Sequence, residues 1–334
     1  MKKRVLALTP GDPAGIGPEI TWKAIQSGSI DKNIALLCVG AREPFEKLKV
    51  PILEANPLSG SFQPPEMNQP HVWLWPAPLT SPHGSLLEGY QVGWSIEQAT
   101  QLVLKQAVSA LVTGPISKER LQKGGYIYPG HTEFLAALCQ TREVTMMLAN
   151  SILRVSLVTT HLGIQDVSLN LTREKIRKSI LQTVQGLRDF WGIEKPRIAV
   201  TALNPHAGEK GLFGKEEITT IQPEIESLKK SAGASFTIDG PFPADTFFAK
   251  HILTPAEDRY DAVVCMYHDQ GLIPVKLLDF HNTVNVTLGL PMIRTSVDHG
   301  VGFDIAGKGV ADPSSLLAAI KLATHFVEKR HGKN

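Results

Sequence analysis

The sequence predicts an α/β protein with a mainly parallel but mixed sheet, and three observations lead there. Short β-branched, apolar runs recur along the chain, helical patterns fall between many of them, and one pair of runs lies too close together for a parallel crossover. The expected strands are 5–8, 34–39, 72–75, 110–113, 145–148, 155–159, 198–203, 262–266 and 284–288. Several are continuously apolar, which suits strands covered on both faces. Helical patterns occupy 18–26, 88–105, 132–140, 172–190 and 313–328. The clearest is 172–190, where Ile176, Ile180, Val184 and Leu187 recur at spacings of three and four, with Glu174 in the first turn. Runs 145–148 and 155–159 are separated only by a turn region around Asn150-Ser151, so they should pair antiparallel. The stretch 56–70 is rich in Pro, Ser and Gly and reads as a surface loop.

With 334 residues the chain exceeds the size at which one core keeps growing, so two lobes are expected. Hydrophobic residues at 43% and charged residues at 20% argue for a folded globular protein rather than disorder. A formal net charge of +2 is too small to predict nucleic-acid or membrane-surface binding. The basic start is followed by an apolar stretch shorter than the roughly 7–15 residues of a signal-peptide core. No apolar run approaches the ~20 residues needed to span a bilayer. The expected location is therefore cytoplasmic. Cys38, Cys139 and Cys265 form no Cys-x-x-Cys pair, and Cys38 and Cys265 lie inside apolar runs as small hydrophobes.

Three histidines follow apolar, strand-like runs: His161 in Thr-Thr-His-Leu-Gly, His206 in Asn-Pro-His-Ala-Gly and His268 in Tyr-His-Asp-Gln-Gly. Imidazole is the commonest metal ligand, and three strand ends can converge on one divalent ion with positions left open for substrate. The glycine-rich Thr9–Glu19 segment follows a strand and opens a helix. It does not match a dinucleotide fingerprint: its spacing differs and no acidic residue closes the second strand. It reads either as a tight turn or as a loop near a ligand. In Pro-Gly-His131-Thr132-Glu133, Thr132 can cap a helix and Glu133 can sit in its first turn; the helix N-terminus would attract an anion held by His131 and Thr132. Three glycines after His206 mark a loop before an acidic helix start. Asp245 complements a short helix opened by Pro243, or else lies near a metal or cofactor. Lys276 in an apolar stretch, Asn285 within a strand and Arg294 after a Gly-Leu-Pro turn suit a pocket for a phosphorylated acid. His299 is a minor ligand candidate. His71, His83, His251, His281, His325 and His331 are read as lying in polar loops or charged helix ends.

The segments TPGDPAGIGPE, PGHTEF, VTTHLG, ALNPHAGE, GPFPADTFF and MYHDQGLIPVK, with the tail VNVTLGLPMIRTSVDHGVGFDIAGKG, together resemble the 4-hydroxythreonine-4-phosphate dehydrogenase family of pyridoxal 5′-phosphate biosynthesis. The resemblance runs in order over nearly the whole chain. It implies a two-lobed fold like that of isocitrate and isopropylmalate dehydrogenases, not a Rossmann domain. The lobes would be 1–125 plus 290–334 and 126–289, with the active site in the cleft between them and at the interface of a homodimer. It implies one divalent ion (Zn2+, Mg2+ or Co2+) on His161, His206 and His268, and substrate contacts from His131, Thr132, Lys276, Asn285 and Arg294, with Lys276 a candidate proton acceptor. The implied reaction oxidises the 3-hydroxyl of 4-phosphooxy-threonine with NAD or NADP, then releases CO2 to leave 3-amino-2-oxopropyl phosphate. Asp245 and Gly289 are candidates for cofactor contact. The competing readings are a dehydrogenase of 4-phosphorylated threonate or erythronate, an acyl–phosphate transferase, and a non-enzymatic metabolite sensor.

Overall fold

The computed structural model describes residues 4–57, 63–64 and 69–331. The strands in chain order are β1 (Arg4–Thr9), β2 (Ile34–Gly40), β3 (Ile52–Glu54), β4 (Val72–Pro76), β5 (Ala110–Thr113), β6 (Thr145–Ala149), β7 (Arg154–Leu157), β8 (Arg197–Thr201), β9 (Thr237–Phe242), β10 (Ala262–Cys265), β11 (Val284–Leu288) and β12 (Arg294–Ser296). The helices are α1 (Gly17–Gln26), α2 (Glu43–Lys47), α3 (Leu87–Leu104), α4 (Lys118–Lys123), α5 (His131–Leu138), α6 (Ile164–Asn170), α7 (Arg173–Trp191), α8 (Gln222–Ala232), α9 (Ala244–Leu253), α10 (His268–Leu278) and α11 (Ser314–His331). All nine expected strands and all five expected helices are present, and β6 pairs antiparallel with β7 as their short separation requires. The strand runs at 155–159, 198–203 and 262–266 stop one or two residues early, which frees the polar residues that follow. Part of the expected 56–70 loop lies outside the described residues.

Two compact units divide the chain, 1–142 with 290–328, and 143–289 with 329–334. The expected division at 125/126 thus falls earlier than the observed one. Residues 126–142 belong to the first unit because Tyr126 and α5 pack against α3: a Cβ on Gly93 would stand 2.0 Å from the Tyr126 ring.

The first unit holds strands in the order β3-β4-β2-β1-β5-β12, all parallel. Leu6, Ala7, Leu8, Leu37, Cys38, Leu111 and Val112 are fully buried within it, as continuous apolar strands demand. The second unit holds β11-β6-β7-β10-β8-β9. Here β7, β10, β8 and β9 run parallel, and β6 is antiparallel to both β7 and β11. Helix α7 covers this sheet. Thr172 accepts at its N-terminus from the Lys175 amide (3.3 Å), Gly192 closes it at φ 72°, and Ile176, Ile180, Val184 and Leu187 are buried. Burying each such side chain contributes about 1.5–3 kcal/mol before entropy is counted. Helix α10 adds Leu272 and Val275 to a core containing Val155, Leu157, Val263 and Cys265. The buried Cys38 and Cys265 thiols are pushed up to about 12 by burial and behave as the expected small hydrophobes.

His251 departs from its expected polar setting. It is 5% exposed and stacks on Phe247 (5.4 Å between centroids), with Tyr260 at 6.2 Å. Burial, helped by the charges of Arg259 and Arg197, lowers its pKa to about 4.

Candidate active site

In the second unit the three histidines follow the C-terminal ends of three neighbouring parallel strands. His161 lies beyond β7, His268 beyond β10 and His206 beyond β8. Neighbouring strands lie about 4.8 Å apart, so the chain passes all three along one edge of the sheet. The His161 and His268 rings stand 5.9 Å apart between centroids. Two imidazoles sharing a zinc-sized ion at tetrahedral angles, with metal–nitrogen bonds of about 2.0–2.1 Å, place their centroids roughly 5–5.5 Å apart, so a shift of about half an ångström would let this pair share one. His268 Nδ1 lies 2.7 Å from the Asp269 carboxylate, the partnership that fixes a ligand imidazole and leaves Nε2 to bind. The His161–His268 pair, with one imidazole oriented by a carboxylate, suits part of a divalent-cation site. Among the described residues, no three His, Cys, Asp or Glu side chains of the single chain gather as a complete metal group. His206 is therefore not brought into the cluster with the other two.

The His206 segment has an unusual backbone. His206, Ala207, Gly208, Glu209 and Lys210 all carry positive φ, of 51°, 52°, 76°, 41° and 56°. Only glycine adopts that region readily, and an L-residue there costs about 1–2 kcal/mol. Glycine spacing had marked this stretch as a loop, but nothing in its composition foretold a left-handed run.

His268 opens α10 rather than ending a strand, and Lys276 lies further along the same helix. The apolar stretch around Lys276 is thus amphipathic. Leu272 and Val275 are buried while Ile273 and Leu277 are exposed, and Lys276 Nζ stands 5.8 Å from the Phe280 ring. Asn285 sits on β11 opposite Leu148, and its buried Oδ1 has no hydrogen-bond partner. A buried amide oxygen left unsatisfied is costly, which makes it a natural ligand contact. Asp245 is exposed in the first turn of α9, after β9 on the same sheet edge as the histidines. Gly289 has φ 89°, and a Cβ there would meet the Gln182 amide at 2.4 Å, so backbone shape and packing account for this glycine.

His131, Thr132 and Arg294 all belong to the first unit. Thr132 does not cap α5. The helix begins one residue earlier, at His131, with Gly130 in the cap position and no side-chain cap bond. His131 Nε2 is buried without a partner. Burial, then the nearby Arg294 charge, holds His131 well below its usual pKa, so the imidazole is neutral near pH 7. Arg294 is 2% exposed, and its Nη2 donates to Thr113 Oγ1 at 2.7 Å. Burial alone lowers its pKa to about 10, which leaves it charged at neutral pH. A buried guanidinium beside a neutral imidazole and a helix N-terminus is suited to an anion. Thr113 was not picked out from the sequence; its partner lies in a strand far along the chain.

The glycine-rich Thr9–Glu19 segment is a turn built by close backbone approach. A Cβ on Gly17 would stand 1.8 Å from the Pro10 carbonyl oxygen, and one on Gly11 would stand 2.1 Å from that of Pro115. Asp12 within it is buried and ion-paired to Arg120 at 3.0 Å. Burial raises its pKa in spite of that partner.

The chain resembles known proteins over its whole length. It is 44% identical to a 4-hydroxythreonine-4-phosphate dehydrogenase of Caulobacter vibrioides, covering 99% of each chain. It is 42% identical to a putative D-threonate 4-phosphate dehydrogenase of Bradyrhizobium diazoefficiens, covering 97% of this chain and 96% of that one. The crystal structure of 4-hydroxythreonine-4-phosphate dehydrogenase from Klebsiella pneumoniae superposes with a TM-score of 0.83 at 38% identity, covering 97% of this chain and all of that one. The profile of the pyridoxal phosphate biosynthetic protein PdxA matches residues 57–323. With that profile spanning most of the chain and dehydrogenases matching it from end to end, this protein belongs to the PdxA family.

Proposed function

We propose that this chain oxidises the 3-hydroxyl of 4-phosphooxy-L-threonine with NAD+ or NADP+ and promotes loss of CO2 to give 3-amino-2-oxopropyl phosphate. The reading rests above all on the placement of His161, His206 and His268 behind three adjacent parallel strands. These imidazoles would hold one divalent ion, Zn2+, Co2+ or Mg2+. When bound, the ion supplies Lewis acidity to the substrate hydroxyl and to the electron pair left by decarboxylation, and the nicotinamide supplies the hydride acceptor.

The chain's own residues orient the substrate. Arg294 offers a charged fork to the phosphate or carboxylate. His131, neutral at working pH, can donate or accept a hydrogen bond there without adding charge. Thr132, on the first turn of α5, adds a hydroxyl. Asn285 presents a buried amide oxygen still lacking a donor. Lys276, whose Nζ stands 5.8 Å from the Phe280 ring, would bind the substrate carboxylate or accept the hydroxyl proton.

In this reading the working form is a homodimer. Leu162, Ile164, Leu169, Leu212, Phe213, Ile273 and Leu277 are exposed, and they flank all three histidines in sequence. A second copy covering them would bury this apolar surface beside the histidines.

The relative named for D-threonate 4-phosphate favours a second reading, in which the substrate carries a hydroxyl instead of the amine at C2. One assay separates the two. Formation of NADH or NADPH is followed at 340 nm with threonine 4-phosphate and with threonate 4-phosphate, with and without added Zn2+, Mg2+ or Co2+. Turnover of the first sustains the proposal, and turnover of threonate 4-phosphate alone replaces it. Absence of turnover with either, under every metal and both nucleotides, refutes both.

A further inference from the structure

The entry into the left-handed run that carries His206 is held by one buried carboxylate. Glu217 is 3% exposed and opens a π-helical stretch, Glu217–Ile221. Such stretches insert a residue into a helix and turn its side chains, often at functional sites. Glu217 Oε1 accepts from the backbone amides of Leu203 and Asn204, each at 2.8 Å, and Oε2 accepts from Asn204 Nδ2 at 2.9 Å. These are the residues that lead from β8 into His206. Gly208, inside the left-handed run, lies so near that a Cβ would stand 2.6 Å from Glu217 Oε2. Asn204 Nδ2 also donates to Glu216 at 2.8 Å, and Glu216 accepts from Ser168 on α6, the helix that follows His161. One carboxylate pair therefore ties the approach to His206 to the helix behind His161.

We infer that Glu217 is a positioning residue for the imidazole of His206: it fixes the entry into the left-handed run and thereby the place from which this ligand meets a divalent cation. The inference rests on the metal assignment proposed above. The hydrogen bonds of the Glu217 carboxylate go to Leu203 and Asn204, so its role would be indirect. The carboxylate acts by holding two backbone amides and one side-chain amide of the residues that lead into His206, a supporting role like that of the outer partners of metal ligands. A buried carboxylate nearby provides a control. Glu224 is 2% exposed and ion-paired to Arg173 (3.0 Å) and Arg177 (2.6 Å), away from this backbone.

The test is titration of the metal-stripped full-length protein with Co2+, reading the visible absorption band, the dissociation constant and the rise in melting temperature on loading. Glu217→Gln is expected to weaken Co2+ binding by roughly 10- to 100-fold. It should alter the band and shrink the metal-induced rise in melting temperature. Glu224→Gln should lower the melting temperature of the metal-free protein and leave Co2+ affinity within about twofold of wild type, a margin small beside the tenfold step set by 1.4 kcal/mol. Asn204→Ala removes only side-chain donors of the same network, and it tests the point should Glu217→Gln not fold. It is expected to weaken Co2+ binding in the same direction. The inference is overturned if His206→Ala loses Co2+ while Glu217→Gln and Asn204→Ala bind it as wild type does. If His206→Ala itself binds Co2+ normally, the metal assignment falls, and this inference falls with it.

Discussion

Replacing Arg294 with Met separates binding from folding. The guanidinium is 2% exposed and its pKa falls from 12.5 to about 10 through burial. A displacement of that size corresponds to roughly 3 kcal/mol set against the charged form in the ligand-free protein. Methionine keeps most of the side chain's length and apolar volume and removes the charge. The free variant should thus melt at or above the wild-type temperature, because a buried cation has been exchanged for an apolar group. Substrate binding should suffer in the opposite sense. Losing one charge-assisted hydrogen bond costs about 1.5–3 kcal/mol, a rise of roughly 10- to 150-fold in KM. Initial rates of NAD(P)H formation against substrate concentration give KM and kcat, and thermal melts with and without inorganic phosphate give the coupling to anion binding. A KM and kcat both within twofold of wild type, with an undiminished phosphate-induced stabilisation, would refute the assignment of Arg294 to the anion.

Other perturbations test separate parts of the reasoning. His206→Ala should reduce bound metal, measured by elemental analysis after dialysis, and abolish activity at ordinary metal levels; full activity in a metal-free variant removes the site. Thr113→Val removes the acceptor 2.7 Å from Arg294 Nη2, so KM should rise by about 1 kcal/mol's worth, roughly fivefold, with kcat little changed and Thr113→Ser restoring it. An unchanged KM shows that Arg294 needs no such support. His251 is neutral in both folded and unfolded chains above its ordinary pKa of 6.5. As pH falls from 6.5 toward about 4 the unfolded chain takes up a proton that the native state refuses, so stability drops by up to roughly 3 kcal/mol. His251→Phe should flatten that acid limb in urea melts run between pH 7 and pH 4.5, and parallel limbs would contradict the burial argument. Gly17→Ala forces a Cβ to 1.8 Å from the Pro10 oxygen and should lower the melting temperature by several degrees or prevent folding.

Central strands and long helices were legible because burial on both faces or on one stripe leaves a period in the sequence. The edge strands β3 and β9 were not. β3 is three residues long, and β9 contains Gly240-Pro241, a pair that normally reads as a breaker. β12 is equally short and begins with an arginine, Arg294, that reads as a pocket residue rather than as the start of a buried strand. Helix α10 was hidden by Pro274 in its interior and by an apolar run that resembles a buried strand. The position of the histidines just beyond strand ends was readable, since polar clusters there serve no core. The approach of His161 to His268 depends on β7 lying beside β10, a long-range pairing that no local pattern encodes. The partnership of Arg294 with Thr113 is hidden for the same reason. The positive φ of four non-glycine residues after Pro205 runs against local preference, so only the surrounding contacts make it predictable.

The broken connectivity of the first unit has a consequence for biosynthesis. Strand β12 and helix α11 leave the ribosome only after the entire 143–289 segment. Until then β5 is an open edge: the Leu111 amide lacks the Ile293 carbonyl it pairs with at 3.0 Å, and Thr113 lacks its guanidinium. All the strands of the second unit are already made, so its sheet can close first. A nascent chain arrested near residue 289 would therefore expose a sticky parallel edge, making this the stage most in need of chaperone protection.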